Sequence, residues 1–222
     1  MMTAHRTDLL LTMHTAMRSA LGPSQWWPGE TPFEIALGAI LTQNTNWENV
    51  QRALDNLRAE NLVSAEALHG LAPETMAELI RPAGYYRLKT KRIKNFLAFL
   101  AAEADLELSA LQAWPTAALR DKLLMVNGIG PETADSILLY ALHIPIFVVD
   151  AYTARILNRH ALIPEDISYN ELQDFFMTAL PQDTALFNEY HAQLVRVGKQ
   201  WCKKRSPTCQ GCPLQPFLPT CP

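Results

Sequence analysis

Apolar residues recur at intervals of three and four along nearly the whole chain, as in Leu9, Leu10, Met13, Met17 and again in Val50, Ala53, Leu54, Leu57. That period puts an apolar stripe on one helix after another and lacks the strict alternation of half-buried strands. The only β-branched cluster, Ile146-Phe147-Val148-Val149 after Pro145, is too short and isolated to seed a sheet. The sequence predicts an all-α protein of roughly ten helices, broken at Gly22-Pro23, around Pro82-Ala83-Gly84, from Asn127 to Gly130, at Pro145 and at Pro164. Thr31-Pro32-Phe33-Glu34 carries the capping-box pattern with Pro at the first helical position, and Pro131 starts a helix expected to run to His143.

At 222 residues, 49% hydrophobic with 9 Gly and 15 Pro, the chain can bury a core, and collagen-like or fully disordered classes are excluded. Two small lobes fit this length, and no linker divides them, so the chain crosses near Gly22 to Trp27 and near Ile144 to Phe147. The longest nearly apolar run, Ser136 to Val149, contains His143 and Pro145 and falls short of the roughly 20 residues a membrane span needs. Neither a membrane nor secretion is indicated, and a cytoplasmic location is expected.

The net charge of -3 conceals a segregated distribution. Arg81, Arg87, Lys89, Lys91, Arg92 and Lys94 share one acid-free window, and Arg196, Lys199, Lys203, Lys204 and Arg205 share another after Tyr190. Such windows are either solvated helix faces or a basic surface on an acidic body, which attracts a phosphate backbone.

All four cysteines, Cys202, Cys209, Cys212 and Cys221, sit together at the C-terminal end. In a cytoplasmic chain that omits Cys elsewhere, this grouping favours a metal centre over disulfides. Structural zinc sites usually show two close ligand pairs, whereas here one close pair is flanked by two single cysteines, an arrangement that suits an iron-sulfur cluster. Both metals remain open on chemistry alone.

Val126-Asn127-Gly128-Ile129-Gly130 reads as a tight turn between two helices. Its glycines permit positive φ, and the following helix start points amides outward, which is either an ordinary corner or a phosphate site. Asp150, in Val148-Val149-Asp150-Ala151-Tyr152-Thr153, is read as an N-cap. The same geometry holds a carboxylate ionised and lets it stabilise nearby positive charge.

Together, the glycine turn, the following Val149-Asp150 and the spacing from Cys202 to Cys212 resemble the helix-hairpin-helix DNA glycosylases of the endonuclease III type, over nearly the whole chain. Leu41-Thr42-Gln43-Asn44-Thr45 resembles that family's Gln-containing turn and Gly84-Tyr85-Tyr86 its wedge loop. The gap before Cys221 is longer than the family pattern. The resemblance implies a two-lobed helix-hairpin-helix glycosylase fold: a helical-barrel domain over 24–144, and a second helical domain over 1–23 and 145–222 with a 4Fe-4S cluster on the four cysteines. It further implies a monomer at the nucleoid that binds damaged double-stranded DNA and flips out a base. Gln43 and Tyr85 then enter the gap in the duplex, Gly128, Ile129, Gly130 and Lys199 contact the backbone, and Asp150 faces the exposed sugar.

Bifunctional members carry a lysine where this chain has Glu132, and a carboxylate cannot form a Schiff base, so base release without strand cleavage is expected. Trp26, Trp27, Pro28 and Trp47 either fill the core or form an aromatic base pocket; Trp-Trp-Pro followed by the Gln turn resembles the 3-methyladenine DNA glycosylase III branch. Better-known members of that branch lack the cysteines. A pocket of π-faces suits a cationic alkylated purine that leaves without protonation. Alternatives are another lesion, oxidised or deaminated, or a non-catalytic redox-sensing DNA-binding protein. The branch that removes mispaired adenine has an acid where this chain has Ala39.

Overall fold

The computed structural model describes residues 2–219, which is helical with no strand among the described residues. Cys221 lies outside the described residues. The chain forms two compact units, Met1–Trp26 with Pro145–Pro222, and Trp27–Ile144.

The Trp27–Ile144 unit contains α2 (Pro32–Leu41), α3 (Trp47–Ala59), α4 (Ala65–Gly70), α5 (Pro73–Leu79), α6 (Tyr86–Ala104), α7 (Thr116–Met125) and α8 (Pro131–Ser136), with 3-10 turns at Arg81–Ala83 and Leu108–Ala113. Its centre is α2, because Ile35 to Leu41 offers no polar face and a helix apolar all round is stable only when surrounded. Leu37, Ile40 and Leu41 are at most 1% exposed, each contributing about 1.5–3 kcal/mol by burial. The Thr31 side chain accepts the Glu34 N–H, but Glu34 does not close the capping box: its buried carboxylate pairs with Arg58 of α3. The helix expected from Pro131 to His143 is α only as far as Ser136, and Ile137–Ala141 is wound as a π-helix.

The other unit joins α1 (Met2–Leu21) to α9 (Ala151–Arg159), α10 (Tyr169–Met177) and α11 (Thr184–Gln200). Ile146-Phe147-Val148-Val149 is extended and buried without a sheet. Its backbone is satisfied by side chains instead: the Phe147 carbonyl accepts Gln173 Nε2 at 2.7 Å, and its N–H meets Met177 Sδ at 3.2 Å. Phe147 stacks on Phe176 at 4.0 Å and meets Phe187 and Tyr190 edge-on. Residues 24–26 belong to this unit rather than to the barrel range of 24–144, because the Ser24 N–H and hydroxyl bind the Glu189 carboxylate of α11.

Candidate active site

Asp150 ends the extended Ile146–Val149 stretch and caps α9. Its Oδ1 accepts the Thr153 N–H at 2.7 Å and the Thr153 hydroxyl at 2.9 Å. Oδ2 faces His191 Nε2 at 3.6 Å. Burial by itself raises the Asp150 pKa; the adjacent His191 imidazole and the two Thr153 donors outweigh it and hold the carboxyl below its ordinary value. Gly198 makes this meeting possible, since a Cβ there would sit 2.3 Å from Tyr152 Cδ1, so α11 lies directly against α9. His191 lies far from Asp150 in sequence and was not legible there.

In the other unit the glycine turn is built as expected, with Gly128 at φ +99° between α7 and α8. A Cβ at Gly128 would lie 2.3 Å from Arg92 Cγ, so the glycine admits the stem of Arg92 from α6. Arg120 clamps the hairpin with a bidentate pair to Asp135, 0% exposed, at 2.7 and 3.0 Å. Within the turn, Ile129 is 4% exposed and its N–H donates to the Val126 carbonyl at 2.9 Å. Gly130 and Glu132 are exposed at the start of α8.

Gln43 is engaged. Its Nε2 donates to the Gly128 carbonyl at 3.1 Å and Thr133 Oγ1 at 2.9 Å, and its Oε1 accepts from Arg92. Tyr85 points outward, 70% exposed, with its backbone at φ +45°. Trp27 packs edge-on against Trp47 at 5.3 Å and tilted against Tyr140 at 5.1 Å. Gly38 leaves room for both indoles. Pro28 is exposed, and Tyr140 joins Trp27 and Trp47 in one aromatic cluster. Tyr140 sits on the π-helical turn, whose direction an α-period reading misassigns.

The basic windows are partly consumed inside the protein. Lys89 is buried, Lys94 is bound by the carbonyls of Leu68, His69 and Leu71, and Arg196 by those of Leu21 and Gly22. Arg81, Arg87, Lys91, Lys199, Lys203, Lys204 and Arg205 are exposed.

Cys202, Cys209 and Cys212 line one cavity with Ile156, Val197 and Leu214. Burial raises the Cys212 pKa, and Cys202 and Cys209 add to the rise, so the three sulfurs share one environment. Arg159 Nη1 approaches Cys202 Sγ at 3.2 Å. Among the described residues no three His, Cys, Asp or Glu side chains converge on a point that would hold a single metal ion. Three thiols lining one cavity beside a guanidinium offer the soft sulfur donors that thiolate-bound metal centres use. No helix among the described residues is long and apolar enough to cross a membrane.

Residues 37–182 match the profile described as HhH-GPD superfamily base excision DNA repair protein. The chain is 42% identical over 217 residues, 97% of its own length and 98% of the relative's, to a provisionally named DNA repair glycosylase, MJ1434, of Methanocaldococcus jannaschii. It is 26% identical to endonuclease III of Sulfolobus acidocaldarius, over 83% of this chain and 80% of the relative. Among solved structures, H. pylori 3-methyladenine DNA glycosylase (MagIII) bound to 1,N6-ethenoadenine superposes with TM-score 0.76 at 28% identity, covering 88% of this chain and 97% of that one. A non-covalent endonuclease III-DNA complex gives TM-score 0.80 at 22% identity, covering 96% and 94%, and so shares the fold.

Proposed function

Because the chain belongs to the HhH-GPD superfamily of base excision DNA repair proteins, we propose that it is a monofunctional DNA glycosylase that releases an alkylated purine such as 3-methyladenine from damaged duplex DNA. It works as a single copy where the DNA lies, at the nucleoid. The observation that carries the reading is the Asp150 carboxylate: Thr153 takes Oδ1 twice, Oδ2 faces His191, and the group is held ionised.

As the N-glycosidic bond breaks, its electron pair leaves with the base and positive charge develops on the deoxyribose. A carboxylate about 4 Å away at an effective dielectric near 20 contributes about 4 kcal/mol, about a thousandfold in rate. Water then adds to the sugar carbon and gives up a proton, leaving an abasic site. An N3-alkylated adenine is already cationic, so it needs π-faces rather than an acid. Trp27 and Trp47, both half-buried, supply them, at about 0.5–2 kcal/mol per face, with buried Tyr140 packed behind Trp27. The likeness to MagIII, whose structure is titled as bound to 1,N6-ethenoadenine, supports a purine.

Glu132 stands where a lyase amine is required, and a carboxylate cannot form the Schiff base that precedes strand cleavage. The Gly128 to Gly130 turn, Tyr85, Gln43 and Lys199 contact the DNA. Cys202, Cys209 and Cys212, with Cys221, would hold a 4Fe-4S cluster, which when bound braces the loop carrying Lys203, Lys204 and Arg205. The test is a base-release screen of purified protein against duplexes carrying alkylated, oxidised and deaminated bases. Release of a methylated purine, lost in Asp150→Asn, is expected. Release of only oxidised or deaminated bases would replace the substrate, and release of none would leave a DNA-binding protein without catalysis.

A further inference from the structure

Lys89, on α6, is 1% exposed and among the largest fully buried side chains of the protein. Its Nζ donates to the Leu41 carbonyl at 2.8 Å and the Ala83 carbonyl at 2.6 Å. Leu41 is the last residue of α2, and Ala83 the last of the Arg81–Ala83 turn. Both carbonyls lie where the helical ladder has run out, and one ammonium satisfies both.

Position is what makes this contact informative. Gln43 follows Leu41 by two residues, and Tyr85 follows Ala83 by two. The second loop is also held in an unfavourable backbone state, with Tyr85 at φ +45°, whereas Asn44 at φ +55° is of a residue type that enters this region readily. A tyrosine persists in that region only where the surroundings over-determine it. Lys89 is part of those surroundings.

A methionine would fill the same volume without burying a charge, so satisfying bulk does not account for a lysine here. Burial pulls its pKa down to about 8, with Arg92 acting in the same direction. Nor can Nζ serve as a nucleophile toward DNA, enclosed as it is.

We infer that Lys89 is a positioning residue for strand separation: by tying the Leu41 and Ala83 carbonyls to one ammonium it fixes the spacing of Gln43 and Tyr85, the two residues offered to the gap in the duplex. The inference rests on the glycosylase reading for its setting, but strand opening can be measured without base release.

The experiment uses the full-length protein and a duplex with a tetrahydrofuran abasic analogue flanked by 2-aminopurine, whose fluorescence rises on unstacking. Wild type gives a rise. Lys89→Met is expected to bind the duplex with wild-type affinity but to give less than about a third of that rise, with Lys89→Gln intermediate. Base release from a well-paired lesion should slow about tenfold in Lys89→Met, and less than about threefold when the same lesion lies opposite an abasic site, where little pairing is left to break. If Lys89→Met does not fold, Lys89→Gln carries the comparison. A wild-type rise in a folded Lys89 variant, or equal slowing on both duplexes, overturns the inference. Unstacking by wild type with no base release from any duplex would instead remove the glycosylase reading and leave Lys89 in its role.

Discussion

Asp150 and Thr153 are joined twice through one oxygen: Oδ1 of the carboxylate takes both the N–H and the hydroxyl of Thr153. The cap thus fixes the plane of the carboxyl group and leaves the second oxygen facing His191 at 3.6 Å.

Asp150→Asn keeps a side-chain oxygen for the cap and removes the charge. Base release should fall about a thousandfold in single-turnover assays while duplex affinity changes little. Release near the wild-type rate would take Asp150 out of the reaction.

In the proposed reaction the same carboxyl would set the acid limb of the rate profile. Its pKa is lowered in the folded protein, so the ionised form, and the stability it brings, persists above the unfolded value and is lost only as pH falls through the lower folded one. Release rates measured against pH should stay level down to about pH 4 on the carboxylate side. A limb centred near pH 6 would assign the essential anion to a different environment.

Wild-type protein treated with borohydride on damaged DNA should form no covalent adduct, because Glu132 offers no amine. Glu132→Lys, exposed at the start of α8, should form one, read as a shifted band on a denaturing gel. An adduct from wild type would mean that another amine does the work.

Gly128→Ala meets Arg92 Cγ at 2.3 Å and forces an L side chain into φ +99°. A loss of about 1–3 kcal/mol is expected in urea unfolding, with weaker duplex binding as the hairpin shifts. An unchanged midpoint would show that Arg92 swings clear at no cost.

Purified protein should absorb in the visible iron-sulfur range and contain four iron atoms per cluster. Cys209→Ser should lose most of that iron and absorbance. Stoichiometric zinc without colour would assign the cysteines to a single-metal site.

Much of this was written in local pattern. The glycine turn, the Asp150 cap and the start of α2 were legible because each depends on neighbours within four residues. What was not legible depends on tertiary partners. Glu34 looked like the second half of a capping box, but Arg58 outcompetes the local N–H for its carboxylate. Lys89, Lys94 and Arg196 counted as surface charge in any linear tally, yet each is taken up by carbonyls distant in sequence or at a helix end. The partners of Gln43 were not legible either, since Arg92, Gly128 and Thr133 reach its amide from distant parts of the chain. Tyr140 was lost in an apolar run because a single π turn rotates it away from the face that an α-period assigns.

The unit containing α1 is built from the two extremes of the chain, with the Tyr190 hydroxyl on the Leu10 carbonyl and Arg196 on Leu21. During synthesis α1 therefore leaves the ribosome long before α11 exists to receive it, while the intervening unit has all its segments and can close first. The apolar stripe of α1, Leu10, Met13 and Met17, must wait through that interval without the surface that buries it.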